Sequence, residues 1–235
     1  MEPLVVYTAI CGGFLPCIPG PRVPSDPSER PVRYVCFSDG LTAIPRPWEL
    51  RPLRWEHRND PRRTARFHKL MSHQLFPEAR LTLWHDASHY LLVNPWSLVD
   101  RHLPEGLDLA TFRHPLRNCL YRELGACIRL DKDDQTVMRR QVTRYLEQGY
   151  PLEHGLNETT VLLRRHTRLI RKLNRYWWWQ IRTGSRRDQL SFNYVLWRLR
   201  AESHLGCIPG SRDNSPYFQW EWQISRARSV DLATR

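Results

Sequence analysis

Short apolar runs rich in β-branched residues recur along the chain and predict buried strands. They read "PLVVYTAICGGF", "VRYVCFSDG", "RLTLWHDASHYLLV", "DLATFRHP" and "NETTVLLRRH". The third run is broken at Asp86, where a single carboxylate separates two apolar stretches. Asp86 therefore ends a predicted strand, a position that suits either a turn or a ligand-binding side chain.

Amphipathic stretches separate these runs and predict helices. The first covers residues 60–76, where Asp60 can cap the helix, Pro61 suits its first turn and Pro77 ends it. The other predicted helices cover residues 94–103, 115–130, 133–150, 167–184 and 186–206. Residues 16–31 and 41–60 are rich in proline and are predicted to be irregular.

This alternation of strands and helices predicts an α/β fold with a mostly parallel central sheet flanked by helices. No long linker divides the chain, so we expect residues 1–224 to form one domain and the polar residues 225–235 to form a flexible tail. The sequence shows neither a membrane-span pattern nor a signal peptide. Its six cysteines form no CxxC pair, which favours reduced thiols. We therefore expect a cytoplasmic protein, with peripheral association at the inner membrane surface as an option.

The net charge of +12 is unusual and comes almost entirely from arginine, since lysine occurs only at Lys69, Lys132 and Lys172. The guanidinium group is a flat fork of donors that suits phosphate and carboxylate. The excess therefore favours an anionic partner, although the base composition of a genome can also enrich arginine.

Several common catalytic motifs are absent. The sequence contains no GxGxxG, no GxxxxGK[ST] and no GxSxG, which argues against a dinucleotide fold, a P-loop and a serine hydrolase elbow. His85 and His89 have the spacing of zinc ligands but lie in a strand-like run without the glutamate of an HExxH helix.

The candidate functional residues lie mainly where predicted strands end, which is where open α/β sheets bind ligands. Thr8 and Ala9 precede the turn at 12–13, Asp39 follows the second strand and Asp86 follows the third. Each of these acids, taken alone, also fits ordinary turn chemistry.

Two helices carry further candidates. Arg66 and Lys69 share one face of the first helix, and the apolar residues between them predict partial burial, so these cations need an anion such as a diphosphate. Asp188 and Gln189 open the last long helix, where a carboxylate also suits simple capping.

The order of these motifs resembles one known family. The segments "YTAICGGF", "YVCFSDG", "ARFHK", "LWHDAS", "RHPLRNCLYRE", "QVTRYLEQGYP", "GLNETTVLLRRH" and "RRDQLSFNYVLW" follow one another between Tyr7 and Trp197. Together they are similar to the glycosyltransferase-like domains of a family that includes plant mucilage- and turgor-related proteins and many bacterial members. The resemblance implies a GT-A-like fold, a nucleotide-sugar-binding α/β domain with a metal site.

The resemblance also implies how the residues bind a donor. Thr8 and Ala9 would lie near the base and ribose of a nucleotide, and Asp39 would contact the nucleoside. Arg66 and Lys69 would face the diphosphate.

The "WHDAS" segment stands where a GT-A enzyme carries its DxD motif, which makes Asp86 the expected ligand of Mn²⁺ or Mg²⁺. Ser88 and Trp84 occupy the positions two residues to either side, so the second carboxylate of the motif is missing. A hard cation can still bind one or two carboxylates together with substrate phosphates. His204 is the expected additional metal ligand, with His166 as an alternative.

The implied reaction moves a sugar from a nucleotide-sugar donor, expected to be a UDP-sugar, to a hydroxyl of a glycan or a lipid-linked saccharide. A divalent ion, Arg66 and Lys69 would stabilise the departing diphosphate. Asp188, with Gln189 beside it, would act as the base of an inverting enzyme or position the sugar in a retaining one. Two alternatives remain open: a nucleic-acid acceptor such as a modified DNA base, which the arginine excess suggests, and a non-catalytic sugar- or nucleotide-binding module, which the incomplete DxD suggests.

Overall fold

The computed structural model of the chain describes residues 2–15, 18, 20–22 and 30–220. Its strands are β1 (Leu4–Ile10), β2 (Val32–Ser38), β3 (Trp48–Arg51), β4 (Leu81–His85), β5 (His89–Leu91), β6 (Leu109–Arg113), β7 (Asn157–Arg165), β8 (Leu205–Ile208) and β9 (Phe218–Trp220). Its helices are α1 (Pro61–Leu70), α2 (Ser72–Leu75), α3 (Pro95–His102), α4 (Leu120–Arg129), α5 (Gln135–Glu147), α6 (Arg168–Thr183) and α7 (Gln189–Arg198). The tail expected at residues 225–235 lies outside the described residues.

A seven-stranded sheet with the order β3-β2-β1-β4-β7-β6-β8 forms the centre of the fold. Strands β1 to β4 are mutually parallel, β7 runs antiparallel to both β4 and β6, and β6 and β8 are parallel. A second sheet pairs β5 with β9. The predicted α/β class with a mostly parallel, helix-flanked sheet is therefore confirmed and agrees with the GT-A-like layout that the resemblance implies.

The two faces of the central sheet bury separate apolar cores. Tyr7 and Ala9 of β1 face the core that contains residues of α1, α4, α5, α6 and α7. Leu4 and Val6 of the same strand face the other core, which contains residues of α3 and β9. Side chains alternate along a strand, so this division follows directly from the apolar sequence of β1.

Helix α1 begins as its sequence predicts but ends earlier. The Asp60 carboxylate accepts a hydrogen bond from the Arg63 backbone N–H at 3.0 Å, and Pro61 occupies the first turn. The helix ends at Leu70, and the short helix α2 follows after Met71. A single longer helix over 60–76 was expected, and the structure divides it at Met71.

The last predicted helix is too long at its C-terminal end. Helix α7 ends at Arg198, and Arg200 adopts a left-handed backbone with φ of 54°. The chain then enters β8, so the expected helical segment up to Gly206 is wrong beyond residue 198. The short strands β3 and β9 have no counterpart in the predicted elements.

Candidate functional site

The candidate site lies at the edge of the sheet where β1 and β4 end. Helix α1 brings Lys69 and Arg66 to this edge, the end of β4 brings Asp86, and the start of α7 brings Asp188. Strand β7 runs in the opposite direction and contributes Thr159 from near its N-terminal end. Segments far apart in the sequence thus place two acids and two bases side by side.

The Lys69 ammonium is the centre of this cluster. Its Nζ lies 2.6 Å from Oδ2 of Asp188, 3.5 Å from Oδ1 of Asp86 and 3.3 Å from the Thr159 hydroxyl. The Lys69 and Asp188 side chains are each only 2% exposed, whereas that of Asp86 is 35% exposed. The indole N–H of Trp84 donates to the same Asp86 oxygen at 2.9 Å. Asp86 is therefore the carboxylate of the pair that a ligand can reach.

Asp188 is ionised by its surroundings. Burial alone would raise the pKa of its carboxyl, but the charges of Arg66, Lys69 and Arg187 hold that pKa well below its usual range. Its Oδ1 lies 3.3 Å from Nε of Arg66, and its Oδ2 also accepts from the Thr159 hydroxyl at 2.8 Å. Although Asp188 stands at the N-cap of α7, its side chain makes no capping hydrogen bond. The simple capping role is thus not observed.

Asp86 lines two cavities. The first, which we call the β1 cavity, has a volume of about 550 Å³ and is lined by residues that follow β1, including Cys11 and Gly12. The second, the α4 cavity, has a volume of about 230 Å³ and is lined by Asp188 and by residues of α4. Four residues line both cavities: Arg66, Asp86, Thr160 and Arg212. Asp86 and Arg66 thus contact both spaces.

The α4 cavity contains a second buried ion pair. Glu123 of α4 is 2% exposed in its side chain, and Nε of Arg117 lies 2.6 Å from its Oε2. Arg187 lies 3.7 Å from its Oε1. Glu123 therefore holds two arginines at the cavity wall, one of which lies directly before Asp188.

Glu158 is a carboxylate of a different kind in the same cavity. Its Oε2 accepts from the backbone N–H of Arg212 at 2.9 Å. Burial raises the pKa of its carboxyl above the usual range, against the lowering effect of Arg212. A carboxyl with a raised pKa is a stronger base than an ordinary carboxylate.

The residues expected near a nucleotide are only partly brought together. Ala9 lines the β1 cavity, but Thr8 is fully buried on the opposite face of the sheet. Asp39 is exposed, and its two oxygens accept from the Gly12 backbone N–H at 3.1 and 2.8 Å. Asp39 therefore holds the turn after β1, and the expected direct roles of Thr8 and Asp39 at a nucleoside find no support in this geometry.

The other expected residues lie close to one another. Arg66 and Asp86 line both cavities, and Asp188 and Gln189 line the α4 cavity. Gln189 accepts from Arg187 at 2.6 Å, whereas its buried Nε2 has no partner within the described residues. Lys69 contacts both carboxylates and lines neither cavity, so its expected role at a diphosphate finds no support in this geometry.

The structure does not place His204 at the expected metal site beside Asp86. It precedes β8, and the ladder pairs Leu205 with Leu109, Leu109 with Arg164 and Arg164 with Thr82. His204 thus lies level with the beginning of β4. Asp86 follows the end of β4, so the two residues lie at opposite ends of the strands. Its Nδ1 lies 3.0 Å from Oδ2 of Asp108. The alternative, His166, is also remote, because its Nε2 contacts the hydroxyls of Ser72 and Thr82.

The expected divalent ion does not fit the residues present. Within the described part of the chain, no group of three or more His, Cys, Asp or Glu side chains could hold a metal ion. Both oxygens of Asp188 have cationic or hydroxyl partners, and Oδ1 of Asp86 accepts from Trp84. The space between the two carboxylates already contains the Lys69 ammonium.

Several site residues were missed by sequence reasoning. Arg117 and Glu123 lie in "RHPLRNCLYRE", a segment that carries the family resemblance but received no role. Arg187 directly precedes the predicted Asp188. Arg212 stands in a polar loop without any local signal, and only the tertiary fold brings it to Asp86.

The fold thus combines a mostly parallel α/β sheet with a charged edge lined by two cavities. The model of the "TOD1/MUCI70, glycosyltransferase-like domain" family matches residues 47–208, which is more than half of the chain. The chain belongs to this family.

Two curated relatives from Arabidopsis thaliana support the assignment. A probable hexosyltransferase, MUCI70, is 28% identical over 155 residues, which cover 62% of this chain and 27% of the relative. An alkaline ceramidase, TOD1, is 29% identical over 138 residues, which cover 54% of this chain and 30% of that relative. The chain thus spans less than a third of the length of either.

Solved structures give a weaker comparison. Mouse xyloside xylosyltransferase 1 has a TM-score of 0.49 at 11% identity, covering 85% of this chain and 82% of the other. A glycosyltransferase involved in glycosylation of the major capsid of PBCV-1 has a TM-score of 0.44 at 10% identity, covering 97% of this chain and 100% of the other. Such scores say nothing about the site.

None of the helices within the described residues has the length and apolar character needed to cross a membrane.

Proposed function

We propose that this domain transfers a sugar from a nucleotide-sugar donor, a UDP-sugar in the first instance, to a hydroxyl of a glycan or lipid-linked acceptor. The observation that carries the proposal is the meeting of two cavities at Asp86 and Arg66. A transferase needs space for two substrates whose reacting atoms come together at one point. The family membership supports the same reaction class.

The β1 cavity is the proposed donor site. Its volume of about 550 Å³ falls within the range of small-molecule sites. Arg62, Arg66, Arg186 and Arg212 line it and can donate to the oxygens of a diphosphate. Aromatic rings such as that of Trp220 line the same cavity and offer a surface for a base.

The α4 cavity is the proposed place for the transferred sugar and the acceptor. In the reaction the bond between the anomeric carbon and the diphosphate oxygen breaks, and a bond from the acceptor oxygen to that carbon forms. The acceptor proton must pass to a base. Asp188 is a weak base because nearby cations lower its pKa, so we assign it to positioning and charge stabilisation. Glu158, whose pKa is raised by burial, is the proposed proton acceptor.

The proposal is tested by incubating the chain with a panel of UDP-sugars and measuring released UDP together with the thermal midpoint of unfolding. A bound donor raises that midpoint by mass action. We expect one donor to do both, and we expect Asp86→Asn to lower the rate of UDP release on the order of 100-fold. Asp100→Asn is the matched control, because this acid pairs with Arg30 on the surface.

The panel also separates the alternatives. Stabilisation without any UDP release, even with added oligosaccharides, would indicate a binding module. Retention of duplex DNA at low salt, lost at high salt, would favour a nucleic-acid acceptor. Because one relative is named an alkaline ceramidase, the panel includes a ceramide. Release of its fatty acid would indicate that the reaction is amide hydrolysis and not sugar transfer. No response to any UDP-sugar would contradict the proposed donor.

A further inference from the structure

The Lys69 ammonium stands where the two carboxylates of the site converge. It lies 2.6 Å from an oxygen of Asp188 and 3.5 Å from one of Asp86, and its third oxygen neighbour is the hydroxyl of Thr159 at 3.3 Å. Carboxylate and hydroxyl oxygens are also the donors that a hard divalent cation prefers. The side chain of Lys69 thus uses a set of oxygens that could otherwise serve a metal ion.

The backbone from which the Lys69 ammonium extends is held in place by hydrogen bonds. The carbonyl of Lys69 accepts from the Tyr7 hydroxyl at 2.9 Å and from the guanidinium of Arg164 at 2.8 Å. All three residues are buried at 1% exposure or less. These two hydrogen bonds to a buried carbonyl fix the point from which the Lys69 side chain extends toward the carboxylates.

The two acids already lie among three positive charges. Asp188 lies 3.3 Å from Arg66 and is further influenced by Arg187, in addition to Lys69. A divalent ion placed between Asp86 and Asp188 would therefore meet three fixed positive charges within the same cluster. Repulsion between like charges is strong where burial excludes water, so such an ion would be disfavoured.

The donor diphosphate has other partners available. The arginines at positions 62, 66, 186 and 212 line the β1 cavity, and Arg66 and Arg212 extend to the α4 cavity as well. A guanidinium binds phosphate through paired hydrogen bonds and needs no bridging metal.

We propose that Lys69 is the resident cation of the Asp86–Asp188 pair, and that the domain binds its donor diphosphate through arginines without a divalent metal ion. The first part concerns this chain alone, whereas the second part rests on the proposed function. The expected Mn²⁺ or Mg²⁺ is thereby replaced by a covalently attached charge.

The first test uses Mn²⁺ alone and needs no donor. The chain is titrated into Mn²⁺, and free Mn²⁺ is measured by electron paramagnetic resonance for the wild type, Lys69→Met and Lys69→Met/Asp86→Asn. We expect no stoichiometric site in the wild type, one site in Lys69→Met, and loss of that site in the double variant. A wild-type site that Asp86→Asn abolishes would overturn the proposal, as would a folded Lys69→Met that gains no affinity. If Lys69→Met does not fold, the wild-type measurement decides.

The second test measures UDP binding by calorimetry in EDTA and in excess Mn²⁺. We expect the same Kd in both solutions and weaker binding by Arg212→Met. Strict dependence on Mn²⁺ would overturn metal-free donor binding. Absence of UDP binding in both solutions would contradict the proposed donor, while the titration with Mn²⁺ alone still decides the role of Lys69.

Discussion

Two fully buried cations lie close together in this fold and differ completely in their partners. Lys69 contacts the carboxylates of Asp188 and Asp86. Arg164 of β7 is not exposed at all and donates to neutral oxygens: the hydroxyl of Tyr7, the carbonyls of Lys69 and Leu70 and the amide oxygen of Asn174. The first cation balances charge at a cavity wall, and the second satisfies polar groups inside the core.

The difference teaches how the fold builds its site. The carbonyls of Lys69 and Leu70 belong to the last turn of α1, where helix carbonyls lack intrahelical partners and carry partial negative charge. Arg164 supplies the missing donors and ties α1 to the sheet. The neutral set around Arg164 therefore fixes the backbone from which the ammonium of Lys69 reaches the carboxylates.

The largest expected effect is on stability, from Arg164→Met. It removes the guanidinium donor of the Leu70 carbonyl and of the Asn174 amide oxygen, and it leaves the Lys69 carbonyl with the Tyr7 hydroxyl alone. We expect a loss of about 4 kcal/mol in the free energy of unfolding. Urea denaturation measures it. The matched control is Arg165→Met on the same strand, whose guanidinium donates to the Leu103 carbonyl and which we expect to cost about 1 kcal/mol. Equal losses of stability in Arg164→Met and Arg165→Met would contradict the special role of Arg164 in the core.

The second expected effect is on activity, from Asp188→Asn. The change removes one of the two carboxylates that hold Lys69, and we expect UDP release to fall on the order of 100-fold. Because the pKa of Asp188 is lowered, its carboxylate stays charged as pH falls to the usual aspartate range. Its contribution to stability is thus present above the unfolded-state pKa and is lost only in stronger acid, as pH falls through the folded value. A wild type and an Asp188→Asn variant with the same acid unfolding midpoint would contradict this.

The third prediction concerns His68, the residue of α1 directly before Lys69. Its Nε2 accepts from the Arg54 backbone N–H at 3.0 Å, so its single proton lies on Nδ1, 2.9 Å from the Thr64 carbonyl oxygen. Burial lowers the pKa of His68 to about 4. The unfolded chain binds this proton first as pH falls, so stability is complete above the unfolded pKa and decreases below it.

Between pH 7 and pH 5 we expect His68 to account for a loss of about 2 kcal/mol. Urea midpoints at both pH values measure it. His68→Gln, which keeps a donor and an acceptor, should make the pH dependence shallower. An unchanged slope in His68→Gln would contradict a neutral His68 in the folded state.

The smallest expected effect is at the other end of α1. Gly12 has φ of +64°, and an added Cβ would lie 2.6 Å from the Pro61 ring. Gly12→Ala should cost about 1 kcal/mol more than Gly13→Ala, which has a similar φ of +67° but no neighbour within 4 Å. Weaker UDP binding by Gly12→Ala alone would show that the N-terminal end of α1 also shapes the β1 cavity.

The elements with a strong periodic pattern could be predicted from sequence, and the site only in part. The apolar runs of β1 and β7 and the capped start of α1 appear as expected. The end of α7 does not, because the apolar pattern continues past Arg200, whose left-handed backbone no local pattern signals. The short strand β9 is formed by its pairing with β5, which is a tertiary interaction.

The second acid of the site, Asp188, could not be paired with Asp86 from sequence alone. The positions two residues from Asp86 hold Trp84 and Ser88, which are not acids. The fold instead brings Asp188 to the same lysine from another helix. His204 failed as a partner because sequence does not tell which edge of the sheet a residue before β8 will occupy. Arg66 and Asp86 could be found because strand ends and helix faces carry readable patterns.

The anchoring of Lys69 by Arg164 has a consequence for genetics. A saturation mutagenesis screen scored by growth or product formation would rank Arg164 together with Asp86, although only Asp86 lines the cavities proposed for the substrates. Pairing the screen with a measure of protein abundance would separate them, because Arg164 variants would be depleted as protein and Asp86 variants would persist as inactive enzyme. Suppressor mutations that raise global stability should rescue the first class and leave the second unchanged.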